Sequence, residues 1–333
     1  MRLKTVFFLF LIISVLIGFL RFPGVYGDGV LYPPSRTLWN GISSWLYVLQ
    51  DGDIADILRY RPDIVVMDYS RDGGEDTKYS PEEISLLKEQ GIIPIAYISI
   101  GEAEDYRWYW KEEYYKNPPP WLGKENPNWP GNWAVKFWYR EWQDIIYRYI
   151  DKVIDQGFMG VYLDKVDIYE YWADDENGED VVLPLHKSAS LMMGFVSSIS
   201  HYGKKKSSPF YVFVQNGEDI IAYDGNSVYM SSIDGIGVES VFYEDMKPLP
   251  YDYTRRRIQF LKEFKRDGKV VLDVEYVYDG DISMLIKAYT KALYHGFIPY
   301  VAYEDTDLDE IVYVPPYQPF IGCGASPFRY YLK

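Results

Sequence analysis

The chain has 333 residues, a formal net charge of −15 at pH 7 and one cysteine, Cys323. Such an acidic surface repels nucleic acid and anionic membranes and favours a neutral or cationic partner, although solubility alone also explains the charge. A lone cysteine excludes an internal disulfide, so an apolar core must hold the fold together, and a chain of this length can bury one.

The N-terminal segment predicts export. Residues 1–27 begin with the basic Arg2 and Lys4 and continue in an uncharged apolar run, Val6–Leu20. This run is shorter than the roughly 20 residues that a membrane-spanning helix needs. We interpret 1–27 as a cleaved signal peptide, with an uncleaved N-terminal anchor as the alternative. Both place residues 28–333 outside the cytoplasm, secreted or in the cell envelope, and cleavage leaves no stable membrane insertion.

Eight short apolar runs follow along residues 28–333. Each is almost continuously hydrophobic rather than alternating, as is typical of strands buried on both faces of a parallel sheet. The runs are Trp45–Leu49, Ile64–Tyr69, Ile93–Ile100, Gly160–Asp164, Phe210–Gln215, Ile236–Phe242, Val270–Val277 and Ile298–Tyr303.

Helical patterns separate these runs. A start signal stands at Ser80-Pro81-Glu82-Glu83, where serine can cap, proline suits the first turn and the acids favour the positive end of the helix dipole. Further helices are predicted over Asp53–Tyr60, Arg140–Gln156, Leu185–His201, Tyr253–Arg266 and Ile282–His295, with Gly157, Gly203, Gly268 and Gly296 as stops. Around 217–229 only a short helix fits. The alternation predicts a single-domain α/β fold over 28–333, a (β/α)8 TIM barrel, with an open doubly wound sheet as the alternative.

A long excursion, Glu102–Trp138, follows the third predicted strand. It contains Pro118-Pro119-Pro120 and six of the chain's ten tryptophans, among them Trp108. Long loops in compact domains are usually functional, and aromatic rings can stack on the apolar faces of sugars or simply pack. In a barrel this excursion lies on the face where active sites are built.

Acidic residues follow nearly every predicted strand. The carboxyl ends of all barrel strands meet at one face, so these residues are expected to form one ring. They include Asp68, Glu102, Glu104, Asp105, Asp164, Asp167, Glu218, Glu239, Glu244, Asp273, Glu275, Glu304 and Asp305. A single acid after a strand is often a helix cap or a loop charge. Crowded carboxylates, however, raise at least one pKa, and glycoside hydrolysis requires one protonated and one ionised carboxyl group.

Other chemistries find less support in the sequence. The three histidines, His186, His201 and His295, lie in or near helices without metal-ligand spacing, although an all-oxygen calcium or magnesium site stays open. Neither a Gly-x-Ser-x-Gly elbow nor a Gly-x-Gly-x-x-Gly loop is present. Lys165 follows Asp164 directly and is expected to point away or to pair with an acid rather than form a Schiff base. We therefore expect no metal and no cofactor.

Four stretches resemble glycoside-hydrolase family 114, the endo-α-1,4-polygalactosaminidase family, and more closely a bacterial and archaeal branch of barrel glycosidases related to it. They are Ala96-Tyr97-Ile98-Ser99-Ile100-Gly101-Glu102-Ala103-Glu104-Asp105-Tyr106-Arg107, Gly160-Val161-Tyr162-Leu163-Asp164-Lys165-Val166-Asp167, Gln215-Asn216-Gly217-Glu218 and Gly237-Val238-Glu239. The first is the most specific. The resemblance implies a (β/α)8 barrel that cleaves α-1,4-linked galactosamine polymers.

The resemblance also implies the catalytic residues. Asp164 stands where the family has its catalytic Asp and Glu239 where it has its catalytic Glu. The chain departs from the family pattern at Lys165, in place of Asn, at Gln215, in place of Lys, and at Ser240–Tyr243. The resemblance therefore implies the fold and the reaction class of this chain more firmly than it implies the substrate.

These observations predict an exported glycoside hydrolase that acts as a monomer on an α-linked polysaccharide of the galactosamine type. Asp164 is expected to be the ionised partner and Glu239 the general acid. Predicted substrate-binding residues are Asp68, Tyr97, Glu102, Trp108, Asp167, Asn216, Glu218, Tyr243, Glu275 and Glu304. The alternatives are a non-catalytic carbohydrate-binding or cell-envelope barrel and, more weakly, a metal-dependent hydrolase.

Overall fold

A computed structural model of the chain describes residues 39–319 except 40, 226 and 316. Residues 1–27, interpreted as a signal peptide, lie outside the described residues, and so does Cys323. Export and the absence of an internal disulfide therefore stay predictions. Within the described part, no helix is both long and apolar enough to cross a membrane.

Eight parallel strands form one sheet in which each strand pairs with the next in chain order. They are β1 (Trp45–Val48), β2 (Ile64–Met67), β3 (Ile93–Ser99), β4 (Gly160–Asp164), β5 (Tyr211–Gln215), β6 (Gly235–Glu239), β7 (Val270–Tyr278) and β8 (Ile298–Tyr303). The first and last strands come together, since the rings of Trp45 and Tyr300 lie 6.0 Å apart. The sheet is thus a nearly closed barrel, which confirms the predicted fold.

Helices connect the strands. They are α1 (Ile54–Tyr60), α2 (Pro81–Glu89), α3 (Arg140–Gln156), α4 (Ile168–Tyr171), α5 (Leu185–Lys206), α6 (Val228–Ser232), α7 (Tyr251–Arg266) and α8 (Ile282–His295). The predicted start of α2 is confirmed, because Ser80 and Glu83 cap each other's backbone N–H groups. Among the described residues of the connection after β5, the regular structure is a 3₁₀ turn, Glu218–Tyr223, and the short α6.

The predicted end of α5 was wrong. The helix continues through Gly203 to Lys206 instead of ending near His201. A Cβ added at Gly203 would lie 2.1 Å from the ring of Phe210, so glycine is needed there for close packing rather than as a helix stop.

The excursion after β3 is ordered. Three short strands, Glu102–Glu104, Leu122–Glu125 and Asn132–Val135, form an antiparallel sheet with the last of them in the middle. The indole N–H of Trp142 donates to Ile100 O at 2.9 Å, and that of Trp172 donates to Val135 O at 2.9 Å. The second of these buried hydrogen bonds attaches the excursion, through Val135, to the end of α4.

A layer of polar aromatic side chains fills the barrel below its rim. Tyr47 donates to Gln215 Oε1 at 2.7 Å, and its ring centroid lies 5.4 Å from that of Tyr162. A Cβ at Gly237 would lie 1.7 Å from the hydroxyl of Tyr162. Because β5 separates β4 from β6, this contact crosses the interior of the barrel. Side chains two residues further along both strands, at 164 and 239, therefore face the same interior.

Substituting Gly237→Ala is expected to lower the free energy of unfolding by about 1–3 kcal/mol, because the added methyl group overlaps the Tyr162 ring in a filled core. Urea denaturation measures the change. Gly194→Ala in α5 is the matched control, since a Cβ there meets no atom within 4 Å; it should leave stability unchanged or raise it by up to about 1 kcal/mol. Equal midpoints for the two variants would contradict this packing.

Candidate active site

Asp164 and Glu239 are the last residues of β4 and β6. Their positions on the strands direct both side chains to the barrel axis at the carboxyl-terminal rim. Asp164 is only 9% exposed. The structure therefore brings the two acids of the predicted pair to one mouth, as the strand-end argument expected.

Each acid of the pair receives a tyrosine hydroxyl. Tyr97 donates to Asp164 Oδ2 at 2.6 Å, and Tyr276 donates to Glu239 Oε1. Glu239 has a second donor, because Asn216 Nδ2 lies 3.0 Å from Glu239 Oε2. The backbone N–H of Glu239 donates in return to Asn216 Oδ1 at 3.1 Å. Tyr97 and Asn216 were predicted site residues, whereas Tyr276 was not.

Burial is the largest influence on the pKa of Asp164, at the end of β4, and of Asp167, just after it. Burial raises the pKa of Asp164 to about 7, with the Lys165 ammonium opposing and the Glu239 charge adding to the rise. Burial likewise raises the pKa of Asp167 to about 6, opposed by Lys165 and increased by Glu102 and Glu239. The mouth can therefore hold a proton on a carboxyl group near neutral pH.

Lys165 supplies a positive charge within this group of acids. Its Nζ lies 3.4 Å from Glu102 Oε2, while Asn126 Nδ2 donates to Glu102 Oε1 at 2.9 Å. Burial lowers the pKa of Lys165, but the charges of Asp164, Glu102 and Asp167 outweigh burial and raise it. The lysine therefore stays charged and pairs with an acid, as expected from the sequence.

The family model that describes "Glycoside-hydrolase family GH114" matches residues 33–318. The chain belongs to glycoside-hydrolase family GH114. It is accordingly a glycosidase, and the resemblance found in the sequence is confirmed. Among its relatives, an uncharacterized protein of Thermotoga maritima is 43% identical over 281 residues, which are 83% of this chain and 85% of that protein. The uncharacterized protein MJ1477 of Methanocaldococcus jannaschii is 45% identical over 273 residues, 80% of this chain and 77% of that one.

Two solved structures share the fold of this GH114 chain. The glycoside hydrolase domain of PelA from Pseudomonas aeruginosa superposes with a TM-score of 0.62 at 16% identity, over 81% of this chain and 97% of that one. Ega3 of Aspergillus fumigatus, in complex with galactosamine, superposes with a TM-score of 0.60 at 19% identity, over 87% and 99%. At such identities the likeness establishes the barrel fold.

Arg257, from α7, organises the rim of this GH114 barrel beside Glu239. It forms an ion pair with Glu218, and its Nη1 donates to the backbone oxygens of Glu239 and Ser240 at 2.8 and 3.1 Å. Its Nη2 lies 3.4 Å from Asn216 Oδ1. Glu218, a predicted sugar ligand, is thus engaged by Arg257, which the sequence analysis did not single out.

The structure places two other predicted site residues, Asp68 and Trp108, in structural contacts. Asp68 forms a buried ion pair with Arg107 at 2.7 Å, and Arg107 binds Glu104 at 2.7 Å, which fixes the start of the excursion. Trp108 packs on α3, where Arg148 and Lys152 lie 5.4 and 5.1 Å from its ring.

Glu275 lies on the helix-facing side of β7, because its neighbour Tyr276 reaches inward to Glu239. There it accepts the backbone N–H groups of Phe242 and Tyr243 at 2.8 and 3.0 Å. The Tyr243 ring is buried and lies 4.2 Å from Lys291 Nζ. Glu304 is exposed after β8. Six of the predicted site residues thus meet at the mouth of the barrel: Asp164, Glu239, Tyr97, Glu102, Asp167 and Asn216. Five others lie outside this group: Asp68, Trp108, Tyr243, Glu275 and Glu304.

In the described part of the chain, no group of three or more His, Cys, Asp or Glu side chains is arranged to hold a metal ion. The acids of the mouth instead have hydrogen-bond donors and Lys165 as partners.

Substituting Arg257→Gln is expected to lower the free energy of unfolding by about 3–5 kcal/mol, because it leaves the buried Glu218 carboxylate unpaired. Arg255→Gln, on the exposed face of the same helix, should change stability by less than about 0.5 kcal/mol. Adding Glu218→Gln to Arg257→Gln should recover part of the loss, and a double-mutant cycle by urea denaturation measures the coupling. Additive losses would show that the pair is not a stabilising unit.

Proposed function

We propose that this chain is an exported hydrolase that cleaves an α-linked amino-sugar polysaccharide of the galactosamine type, with Asp164 and Glu239 as its catalytic pair. Membership of GH114 and the binding of galactosamine by Ega3 support the substrate class. The observation that carries the proposal is the convergence of two carboxyl groups from β4 and β6 on one mouth, where the charge of Glu239 adds to the rise in the pKa of Asp164. A pair of this kind is what glycosidic cleavage requires.

We assign the proton to Asp164 and the negative charge to Glu239, the reverse of the order expected from the sequence. Asp164 is buried, has one hydroxyl donor, and its pKa is raised to about 7. Glu239 accepts hydrogen bonds from both Tyr276 and Asn216, so each of its carboxyl oxygens has a donor from the chain.

In this arrangement the Asp164 carboxyl group donates its proton to the glycosidic oxygen as the bond to the leaving sugar breaks. The Glu239 carboxylate stabilises the positive charge that develops at the anomeric carbon in the oxocarbenium-ion-like transition state. Asp167 and Glu102, at the same mouth, supply acceptors for sugar hydroxyl groups.

The location follows from the substrate and from the N-terminal segment. A polysaccharide of this type is too large to enter a cell intact, and residues 1–27 carry the features of a signal peptide. We therefore propose that residues 28–333 act outside the cytoplasm as a monomer, since one barrel contains both carboxyl groups.

Asp164→Asn and Glu239→Gln are each expected to lower kcat by at least about 10²–10⁴-fold, the usual contribution of a positioned acid or base. Release of reducing ends from galactosamine polymers of defined acetylation measures the effect. A variant of either kind with full activity would remove the proposed pair. Oligosaccharide binding by the wild-type chain without any released ends would favour the non-catalytic carbohydrate-binding barrel.

Asp164→Asn should also be more stable than the wild-type chain at pH 8. In the folded chain the pKa of Asp164 is about 7, whereas an unfolded aspartate titrates near about 4. The contribution of Asp164 to stability is therefore full below about pH 4 and is lost as the pH rises through about 7. Thermal unfolding at pH 4 and pH 8 tests this, and a lower melting temperature for the variant at pH 8 would contradict it.

The pH profile tests which acid carries the proton. Because burial raises the pKa of Asp164 to about 7, kcat/KM should fall as the pH rises through that value. Tyr97→Phe removes a hydrogen-bond donor to the ionised form of Asp164 and so raises the pKa of this residue. The descending limb of the kcat/KM profile of this variant should therefore move to higher pH. Tyr115→Phe, which alters an exposed hydroxyl bound to Asp105, is the control and should leave the limb in place. An unshifted limb in Tyr97→Phe would assign the proton to another group.

A further inference from the structure

One tryptophan of the excursion after β3 differs from the others in its surroundings. Of the ten tryptophans in the chain, nine belong to the buried core or pack against it, whereas Trp129 is 51% exposed. Leaving half of an indole ring in water forgoes the stabilisation that burial would give. Because binding residues are often carried on ordered loops, the exposed ring of Trp129 is a candidate contact for a ligand.

The turn that carries Trp129 is fixed by its sequence and its hydrogen bonds. Residues 126–131 read Asn-Pro-Asn-Trp-Pro-Gly, and Pro127 stands at the second position of a turn in which the Trp129 N–H donates to Asn126 O at 3.1 Å. The carbonyl oxygen of Trp129 accepts from Asn132 twice, from its backbone N–H at 3.1 Å and from Nδ2 at 3.3 Å. A ring on such a preorganised turn loses little freedom when it binds a ligand.

Asn126 connects this turn to the mouth of the barrel. Its Oδ1 accepts from the Asn128 N–H at 3.0 Å, which stabilises the turn, and its Nδ2 donates to Glu102 Oε1 at 2.9 Å. The other carboxylate oxygen of Glu102 lies 3.4 Å from Lys165 Nζ. Since the first and last Cα atoms of a turn lie within about 7 Å of each other, Trp129 stands at the border of the mouth.

We propose that Trp129 is a stacking platform for the polysaccharide itself and holds a sugar ring outside the mouth, on the side of the excursion after β3. The apolar face of a sugar ring can lie on the indole, while the exposed Asn128 can bond to its hydroxyl groups. This inference rests on the proposed function, because it adds a second contact for the same substrate.

A polysaccharide fits this position better than a protein partner does. The turn is continuous with the mouth through Asn126 and Glu102, so one sugar chain can occupy both places. A single exposed ring offers far less area than the roughly 1,000 Å² that a specific protein interface needs.

The position of Trp129 makes chain length the property that it selects. Only a sugar chain long enough to extend from the scissile bond to the turn can contact both the catalytic pair and the indole ring. Binding energy gained away from the reacting bond raises kcat/KM for such chains without changing the acids that cleave them. The kcat/KM of the wild-type chain should therefore rise with the length of the substrate.

The test compares a long galactosamine polymer with a short oligosaccharide of the same sugar and acetylation. Trp129→Ala should lower kcat/KM on the polymer by about threefold to tenfold, the usual worth of one aromatic stacking contact, and should leave kcat/KM on the short oligosaccharide unchanged. Trp129→Tyr keeps a ring face and should retain most of the wild-type value. Tyr294→Ala is the matched control, since Tyr294 is 74% exposed but lies at the end of α8 that leads into β8, on the face of the barrel opposite the mouth.

Fluorescence tests the contact without turnover. In the Glu239→Gln background, a long oligosaccharide should protect tryptophan fluorescence from quenching by acrylamide, and a short one should not. Adding Trp129→Ala should abolish this protection.

Three outcomes decide between the two proposals. An unchanged kcat/KM of Trp129→Ala on the polymer, or an equal loss on both substrates, would overturn the role of Trp129 while leaving the hydrolase intact. Protection from acrylamide that persists in Trp129→Ala would also overturn it. Failure of the wild-type chain to bind or cleave either substrate would remove both proposals.

Discussion

Two carboxyl groups face one barrel mouth, and the electrostatic cost of ionising both of them there shapes the structure around them. Tyr276 and Asn216 donate to Glu239, whereas burial raises the pKa of Asp164, which accepts from Tyr97. In the proposed mechanism, these unequal surroundings divide the roles of the two acids, and the proton stays on Asp164. Glycoside hydrolysis depends on this division.

The scaffold supports this proposed division by fixing the backbone next to each acid. Gly237 leaves room for Tyr162 across the barrel, so the layer below the pair is filled. Arg257 binds the backbone oxygen of Glu239 from outside the barrel and is itself paired with Glu218. Preorganised donors and charges of this kind are more effective than groups that must reorient during the reaction.

The barrel and the position of Asp164 and Glu239 at one mouth were predictable, because the carboxyl ends of parallel strands meet at one face. The residues of β7 that point into the barrel could not be predicted. Acidic and apolar residues alternate along Leu272–Tyr276, and the sequence does not say which of the two sets points inward. Glu275 was therefore placed among the sugar ligands, and Tyr276 was overlooked. Arg257 was also missed, because a run of three arginines within an amphipathic helix is typical of a solvated face.

The position of the scissile bond is the central claim, and a crystal structure of the Glu239→Gln variant with an uncleaved amino-sugar oligosaccharide tests it most directly. We expect the glycosidic oxygen to lie within hydrogen-bond distance of the Asp164 carboxyl group, about 2.5–3.0 Å, with the anomeric carbon turned towards residue 239. A sugar chain bound away from the mouth of the barrel, or with both side chains on the same side of the scissile bond, would contradict it.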